Sequence, residues 1–182
     1  MKVLITGGAG FIGRHLTNRL QRSGHRVRWF DNLDPQIHGD ASNAPAEYCR
    51  QADDMLVGDV RDRAALLQAV QGMDAVIHFA AQTGTGQSMY RVAYYSDINL
   101  GGTANLWDIL ANEGTQVQKF VIASSRSIYG EGTYWCDNHG AKIVAEPRTK
   151  VQLDAGQWEP LCPVCGSIVQ AIATPDTSYP NP

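Results

Sequence analysis

The sequence has no apolar run approaching the roughly 18 residues that cross a bilayer, no cluster of Lys and Arg, and no internal repeat. The first absence argues against a membrane-spanning helix, and the opening MKVLITGG reaches glycine too early for a secretory leader. The second removes the electrostatic footprint of nucleic-acid or anionic-membrane binding, since 15 Lys and Arg stand against 18 Asp and Glu, a formal charge of -3. A cytoplasmic protein is expected. Cysteine is also scarce, and in a reducing compartment Cys49, Cys136, Cys162 and Cys165 read as free thiols or metal ligands rather than disulfides. What is present suffices for a core: 43% hydrophobic and 8% aromatic residues in a chain of 182, the size of one ordinary domain.

Apolar strands alternate with helical patterns. Lys2 to Thr6 is a short β-branched run, and Phe11 to Ser23 carries helical spacing (Phe11, Ile12, Leu16, Leu20) that stops at Gly24. Arg26 to Phe30, Met55 to Val57, Ala75 to Phe79 and Lys119 to Ala123 are further strands, with helices at Asp62 to Val70 and around Asn99 to Asn112. Such alternation implies an α/β fold, a parallel sheet covered on both faces. Pro35 to Pro45 is polar and rich in turn formers, a surface loop. From about Gly130 the pattern turns to Gly, Pro and cysteine without a clear period, which predicts an irregular insert.

The most informative motif is T-G-G-A-G-F-I-G, Thr6 to Gly13, between the first strand and the first helix. Gly7 permits a tight turn, Gly10 lets a pyrophosphate approach the backbone, and Gly13 lets the helix pack closely while its N-terminus faces phosphate charge. Asp31 follows the second strand near the distance at which a carboxylate accepts hydrogen bonds from the adenine ribose. A carboxylate there repels a 2′-phosphate, so NAD is favoured over NADP. Arg26 and Arg28 precede it within a strand and read as exposed-face residues.

With Asp31-Asn32, the G-D-V-R-D of Gly58 to Asp62, the H-F-A-A-Q of His78 to Gln82, N-L-G-G-T from Asn99 and S-S-R-S-I-Y-G from Ser124, the chain resembles the N-terminal part of an extended short-chain dehydrogenase/reductase. The resemblance is to the NAD-dependent epimerase/dehydratase group that includes UDP-glucose 4-epimerase, and it runs to about Gly130. It implies a Rossmann-type doubly wound sheet and a cofactor domain over residues 1–130. The Cys/His-containing insert and chain end would occupy 131–182, with the substrate lobe absent. In the family, the residues matching Asp59 and Val60 hold the adenine, those matching Phe79, Ala80 and Ala81 line the dinucleotide, and the one matching Asn99 sits near the cofactor. Phe11, Ile12, Gln82, Ala123 and Ser124 are placed at the cofactor as well. His78 reads as a buried core histidine, packed or bonded to backbone.

Chemistry in this group uses a Ser or Thr, a Tyr and a Lys: the tyrosinate takes a sugar hydroxyl proton as hydride moves to the nicotinamide, and the lysine lowers the tyrosine pKa. The resemblance puts the Ser at Ser125 and a structural turn at Tyr129. Nowhere do the 182 residues contain Tyr-x-x-x-Lys, and a lysine at the matching distance from Tyr179 would fall beyond Pro182. We therefore expect an inactive truncated part, with the motif past this end and Tyr179 an ordinary loop residue. Arg126 and Ser127 stand where 4,6-dehydratases carry an acid pair, which favours a nucleotide-sugar 4-epimerase over a dehydratase or reductase. Thr83 to Tyr90 (T-G-T-G-Q-S-M-Y) is similar to a branch assigned to dTDP-L-rhamnose 4-epimerase. A non-catalytic NAD-binding module is the alternative. As partners we expect a nucleotide-sugar and a second copy of the chain, and neither nucleic acid nor membrane.

The segment after Gly130 holds two knuckles, Cys136-Asp-Asn-His139 and Cys162-Pro-Val-Cys165-Gly, each with ligands at i, i+3. Three thiolates and an imidazole would select zinc in a closed structural site. Four unrelated residues, or a redox pair of Cys162 and Cys165, are the competing readings. Cys49 lies in a loop and reads as a bystander.

Overall fold

The structure is a computed structural model that describes residues 1–39 and 51–177. It divides into two compact units, Met1–Ala123 and Ser124–Pro182. The division falls after Ala123, whereas the sequence pattern changes at Gly130. Cys49, the second half of the expected Pro35 to Pro45 loop, and Tyr179 lie outside the described residues.

In the first unit, β1 (Lys2–Thr6), β2 (Arg26–Asp31), β3 (Asp54–Val57), β4 (Ala75–His78) and β5 (Lys119–Ile122) form one sheet of order β3-β2-β1-β4-β5, parallel throughout. The fold is of the Rossmann type. Alternation along β1 explains the two layers, because successive side chains point to opposite faces. Val3 and Ile5 pack with Val27 and Trp29 beneath Leu16 and Leu20 of α1 (Phe11–Arg22). Leu4 faces the other way, into a cluster with Phe30, with Leu66 and Val70 of the helix Arg63–Val70, and with Leu106 and Ile109 of the helix Thr103–Asn112.

Among the described residues of this unit the α-helices are α1, α2 (Pro35–His38), α3 (Arg63–Val70), α4 (Thr85–Ser88), α5 (Val92–Ser96) and α6 (Thr103–Asn112). The short α2 lies where the sequence predicts only loop. Asp34 caps it by accepting from the Gln36 N–H at 2.9 Å, and Pro35 at the first position fits the fixed φ of a helix start. Between α5 and α6 the stretch Asp97–Gly102 is π-helical, so the helix expected around Asn99 begins earlier and changes pitch within it. Arg28 is not simply exposed: it donates to Asp54 Oδ2 at 2.6 Å and to the carbonyls of Ala69 and Gln71, because it sits next to β3 and the end of α3.

The second unit falls where an irregular, zinc-ribbon-like insert is expected, and it contains short regular elements. Its β6 (Thr133–Cys136), β7 (Ala141–Val144) and β8 (Gln170–Ala171) make an antiparallel sheet of order β7-β6-β8, with α7 (Lys150–Asp154) between β7 and β8. Arg126–Tyr129 is a 3-10 turn closed by Gly130 at φ 57.

Candidate functional site

The carboxyl ends of β1, β2, β3 and β4 open onto one cleft of about 360 Å³. It lies where the chain leaves β1 toward β2 on one side and β4 on the other, the place at which doubly wound sheets accept ligands. Gly7 turns the chain out of β1 at φ 68, and a Cβ on it would stand 2.7 Å from the Ala80 nitrogen, so only glycine fits. A Cβ at Gly13 would meet the Gly8 carbonyl oxygen at 2.4 Å: helix and loop backbones are in contact there, closer than the helix-to-strand packing that the sequence suggests. Gly10 precedes α1, whose N-terminus has neither a side-chain cap nor an acidic residue in its first turn. The cleft therefore faces a helix end that favours negative charge. Phe11 and Ile12 are exposed at its mouth.

Asp31 ends β2 at 8% exposure and lines the cleft with Asn32. Its Oδ2 accepts from the Ala9 N–H at 3.0 Å and its Oδ1 from the Leu33 N–H at 2.9 Å. An ionised carboxylate has about four acceptor positions, which leaves room for two donors from a ligand. The same turn puts Leu33 at φ 53, a left-handed conformation that Asx-type bonds from Asp31 and Asn32 hold in place.

Val60, Phe79, Ala80, Ala81 and Gln82 also line the cleft, while Asp59, Asn99, Ala123 and Ser124 do not. Asp59 is bound by Arg61 at 2.7 Å, and that guanidinium is the main reason its carboxyl is held below the usual range. Asn99 clasps the Gln82 backbone from both sides: its Oδ1 accepts from the Gln82 N–H at 2.8 Å and its Nδ2 donates to the Gln82 carbonyl at 3.0 Å. The Ala123 N–H donates to the His78 carbonyl at 3.2 Å. Ser124 and Ser125 begin the second unit, where Ser125 Oγ accepts from the Ser127 N–H at 3.1 Å and caps the 3-10 turn.

Sequence reasoning missed Phe30, Asp34, Ile37, His38, Gly58, Thr83 and Ile98, all of which line the cleft. Asp34 takes a 2.6 Å bond from Gln82 Nε2, across the cleft, and His38 Nε2 lies 3.6 Å from Asp31 Oδ1. The Asp34-Pro35 pair, a cap followed by a first-turn proline, was the available signal for α2.

Beneath the cleft His78 is buried and bonded to two hydroxyls rather than to backbone. Thr103 Oγ1 donates to the Asn99 carbonyl at 2.6 Å, so it accepts from His78 Nε2 at 3.0 Å. His78 Nδ1 is then the acceptor of the Thr6 hydroxyl at 2.6 Å, and Thr6 Oγ1 accepts from the Ala80 N–H at 3.3 Å. Every partner fits a neutral imidazole, and burial pushes its pKa down to about 4.

In the second unit Cys136, His139, Cys162 and Cys165 bring one ligand atom each to within 4.8 Å of one another. Cys136 ends β6, His139 lies in the hairpin turn to β7, and Cys162 and Cys165 lie on a tongue closed by the Leu161–Ile168 bridge. The Cys136 and Cys165 sulfurs are 3.7 Å apart, and His139 Nδ1 is 3.3 Å from Cys136 Sγ and 3.6 Å from Cys162 Sγ. Bond lengths of about 2.3 Å to sulfur and about 2.0–2.1 Å to nitrogen give tetrahedron edges of about 3.8 Å and about 3.5 Å, so the donor set fits zinc. Burial opposes ionisation of Cys136, but hydrogen bonds led by Ser167 prevail and bring its pKa down to about 7. The Ser167 hydroxyl, 2.9 Å from Cys165 Sγ, likewise lowers the Cys165 pKa.

A parallel Rossmann-type sheet with a glycine turn at its switch point defines the class of molecule. Residues 3–148 match the NAD dependent epimerase/dehydratase family, and the chain belongs to that family. It is 38% identical over 161 residues to the dTDP-L-rhamnose 4-epimerase of Burkholderia thailandensis, which covers 87% of this chain and 43% of that protein. To the UDP-glucose 4-epimerase of Neisseria meningitidis serogroup C it is 37% identical over 134 residues, covering 71% and 38%. Among solved structures it is similar to the UDP-glucose-4-epimerase of Stenotrophomonas maltophila with bound NAD and formylated UDP-arabinopyranose, at TM-score 0.62 and 37% identity over 72% of this chain and 39% of that one. The Brucella ovis UDP-glucose 4-epimerase in complex with NAD gives TM-score 0.59 and 36% identity, over 71% and 37%. The chain thus spans less than half the length of these four relatives. Among the described residues no helix is long and apolar enough to cross a membrane.

Proposed function

We propose that the chain is the cofactor-binding part of a cytoplasmic NAD-dependent nucleotide-sugar 4-epimerase. The observation that carries this is the cleft at the uncapped start of α1 with Asp31 at its far side, in a chain whose relatives are 4-epimerases and whose structural neighbours include NAD complexes. The cleft fits the cofactor: the α1 N-terminus would meet the pyrophosphate, and the unused acceptor positions of Asp31 would take the ribose hydroxyls. Gly10 would let the pyrophosphate approach the backbone, while Gly7 and Gly13 allow the turn and the close backbone contact that shape the loop. Val60 would border the adenine, with Asp59 holding the turn beside it through Arg61. Phe79, Ala80 and Ala81 would line the dinucleotide, and Asn99 fixes Gln82 next to them.

Bound NAD would accept hydride from C4 of an NDP-hexose and return it to the other face of the same carbon. Ser125 would hydrogen-bond the reacting hydroxyl, and the base would be a tyrosine that the 182 residues do not contain in a Tyr-x-x-x-Lys motif. UDP- and dTDP-linked sugars, named for the relatives, are the substrate class, and a homodimer is the assembly. In the same reading Cys136, His139, Cys162 and Cys165 hold a structural zinc. The second reading is a non-catalytic NAD-binding module with a structural zinc ribbon, which the four clustered ligands favour. The test is calorimetry with NAD and NADP followed by an epimerase assay: NAD preferred without turnover is the expected result, and no NAD binding overturns both readings.

A further inference from the structure

Among its described residues the second unit has only a small core, Ala145 and one buried cluster. Its buried cluster is Cys136, Cys162 and Val169, with Tyr134 and Ile143 packed partly against it, and two of the three buried members are thiol ligands. The strands are four, four and two residues long, and β8 is attached through only two register pairs, Tyr134 with Ala171 and Trp135 with Gln170. Helix α7 buries no residue. Units below roughly 70–80 residues rarely fold on apolar burial alone and use a metal or disulfides instead.

The four ligands sit where that deficit is greatest. Cys136 and His139 belong to the β6–β7 hairpin, and Cys162 and Cys165 to the tongue that delivers β8. One ion held there would join the two halves of the sheet, which otherwise share that small cluster and a few hydrogen bonds, Gln170 Nε2 to Asp137 Oδ2 at 3.0 Å among them. Backbone hydrogen bonds shape the tongue: the Cys162 N–H donates to the Ser167 carbonyl at 2.8 Å, and the Gly166 N–H to the Cys162 carbonyl at 2.9 Å. Ser167 Oγ lies 2.9 Å from Cys165 Sγ and 3.7 Å from Cys136 Sγ, and its single O–H, able to donate to one thiolate at a time, is placed to orient Cys165.

Resting on the zinc reading, we propose that the second unit holds its sheet only around that ion, with Ser167 as the positioning residue for the Cys165 ligand. In physical terms, metal binding is folding for this unit, and the cofactor unit does not depend on it. Zinc binding releases the thiol protons of the three cysteines and leaves no ligand position for substrate, since four protein donors complete the tetrahedron.

The test uses the intact 182-residue chain under reducing conditions, with zinc measured by native mass spectrometry and backbone protection by hydrogen exchange before and after a chelator. One zinc per chain is expected, with protection at 133–144 and 161–171 lost on chelation, kept at 2–78, and restored by Zn²⁺ but not Mg²⁺. Ser167→Ala should keep the stoichiometry yet release zinc to a chelating dye about tenfold faster. Cys165→Ser should lose the metal. Protection that survives complete zinc removal, or an unchanged release rate for Ser167→Ala, overturns the corresponding part of the inference while leaving the zinc reading intact. A chain that takes up no zinc, or a disulfide between Cys162 and Cys165 in the protected form, overturns the zinc reading itself.

Discussion

Thr6 and His78 stand opposite each other in register on β1 and β4, and the Thr6 hydroxyl donates to His78 Nδ1 at 2.6 Å. With Thr103 on the other ring nitrogen, the imidazole is committed to its neutral form.

Stability should therefore depend on this histidine in acid. Its folded pKa lies near 4 against 6.5 for the ordinary side chain, so between those values the unfolded chain binds a proton that the folded chain does not. Stability falls as pH drops from 6.5 toward 4, by up to about 3 kcal/mol from this group. Urea midpoints across that range for wild type and His78→Gln check it. Parallel curves for the two proteins would remove His78 as the cause.

Asp31→Ala should weaken NAD binding by about 1–3 kcal/mol and narrow the preference over NADP, because a charged acceptor and the repulsion of a 2′-phosphate go together. Calorimetry of both cofactors on both proteins reads it. Equal NAD and NADP affinities in the wild type would defeat the prediction.

Asn99→Ala removes both bonds to the Gln82 backbone and should lower NAD affinity several-fold, at a cost of about 1 kcal/mol in stability since the site is exposed. Asn99→Asp retains the acceptor toward the Gln82 N–H but loses the donor, and should fall between. An affinity that neither substitution moves would show that the clasp does not position Gln82 for the cofactor.

The 182-residue polypeptide should not epimerise UDP-galactose or a dTDP-linked rhamnose, since it has Ser125 but no Tyr-x-x-x-Lys. A coupled assay at high enzyme concentration measures this. Turnover above a Ser125→Ala control would mean that another residue supplies the base.

The first unit was largely legible because parallel strands are buried on both faces and read as short apolar runs. Val3 to Ile5 is such a run, Val27, Trp29 and Phe30 make another that Arg28 interrupts, and Gly7 and Gly13 sit where two backbones touch. The cleft's second wall was not legible. Asp34 and His38 come from a four-residue helix, too short for any period, whose cap and proline read as turn formers. The second sheet was hidden for another reason. Thr133–Cys136 pairs with Gln170–Ala171, far along the chain and only two residues deep, so no local pattern announces it. Its cysteines announced themselves by spacing, because ligand geometry is local within each knuckle.

The π-helical stretch Asp97–Gly102 makes this the place in the helical segment where one residue can be lost. A π turn holds one residue more than an α turn, so deleting one residue lets the stretch become a regular α-helix with α5 and α6 still in phase, whereas a deletion in either α-helical part would rotate its two sides by about 100°. Gly102 itself must stay, since a Cβ there would stand 2.4 Å from Val60 Cγ2, and Asn99 must stay for its two bonds to the Gln82 backbone. Single-residue deletions among homologous chains should therefore gather within positions 97–102 and spare Asn99 and Gly102.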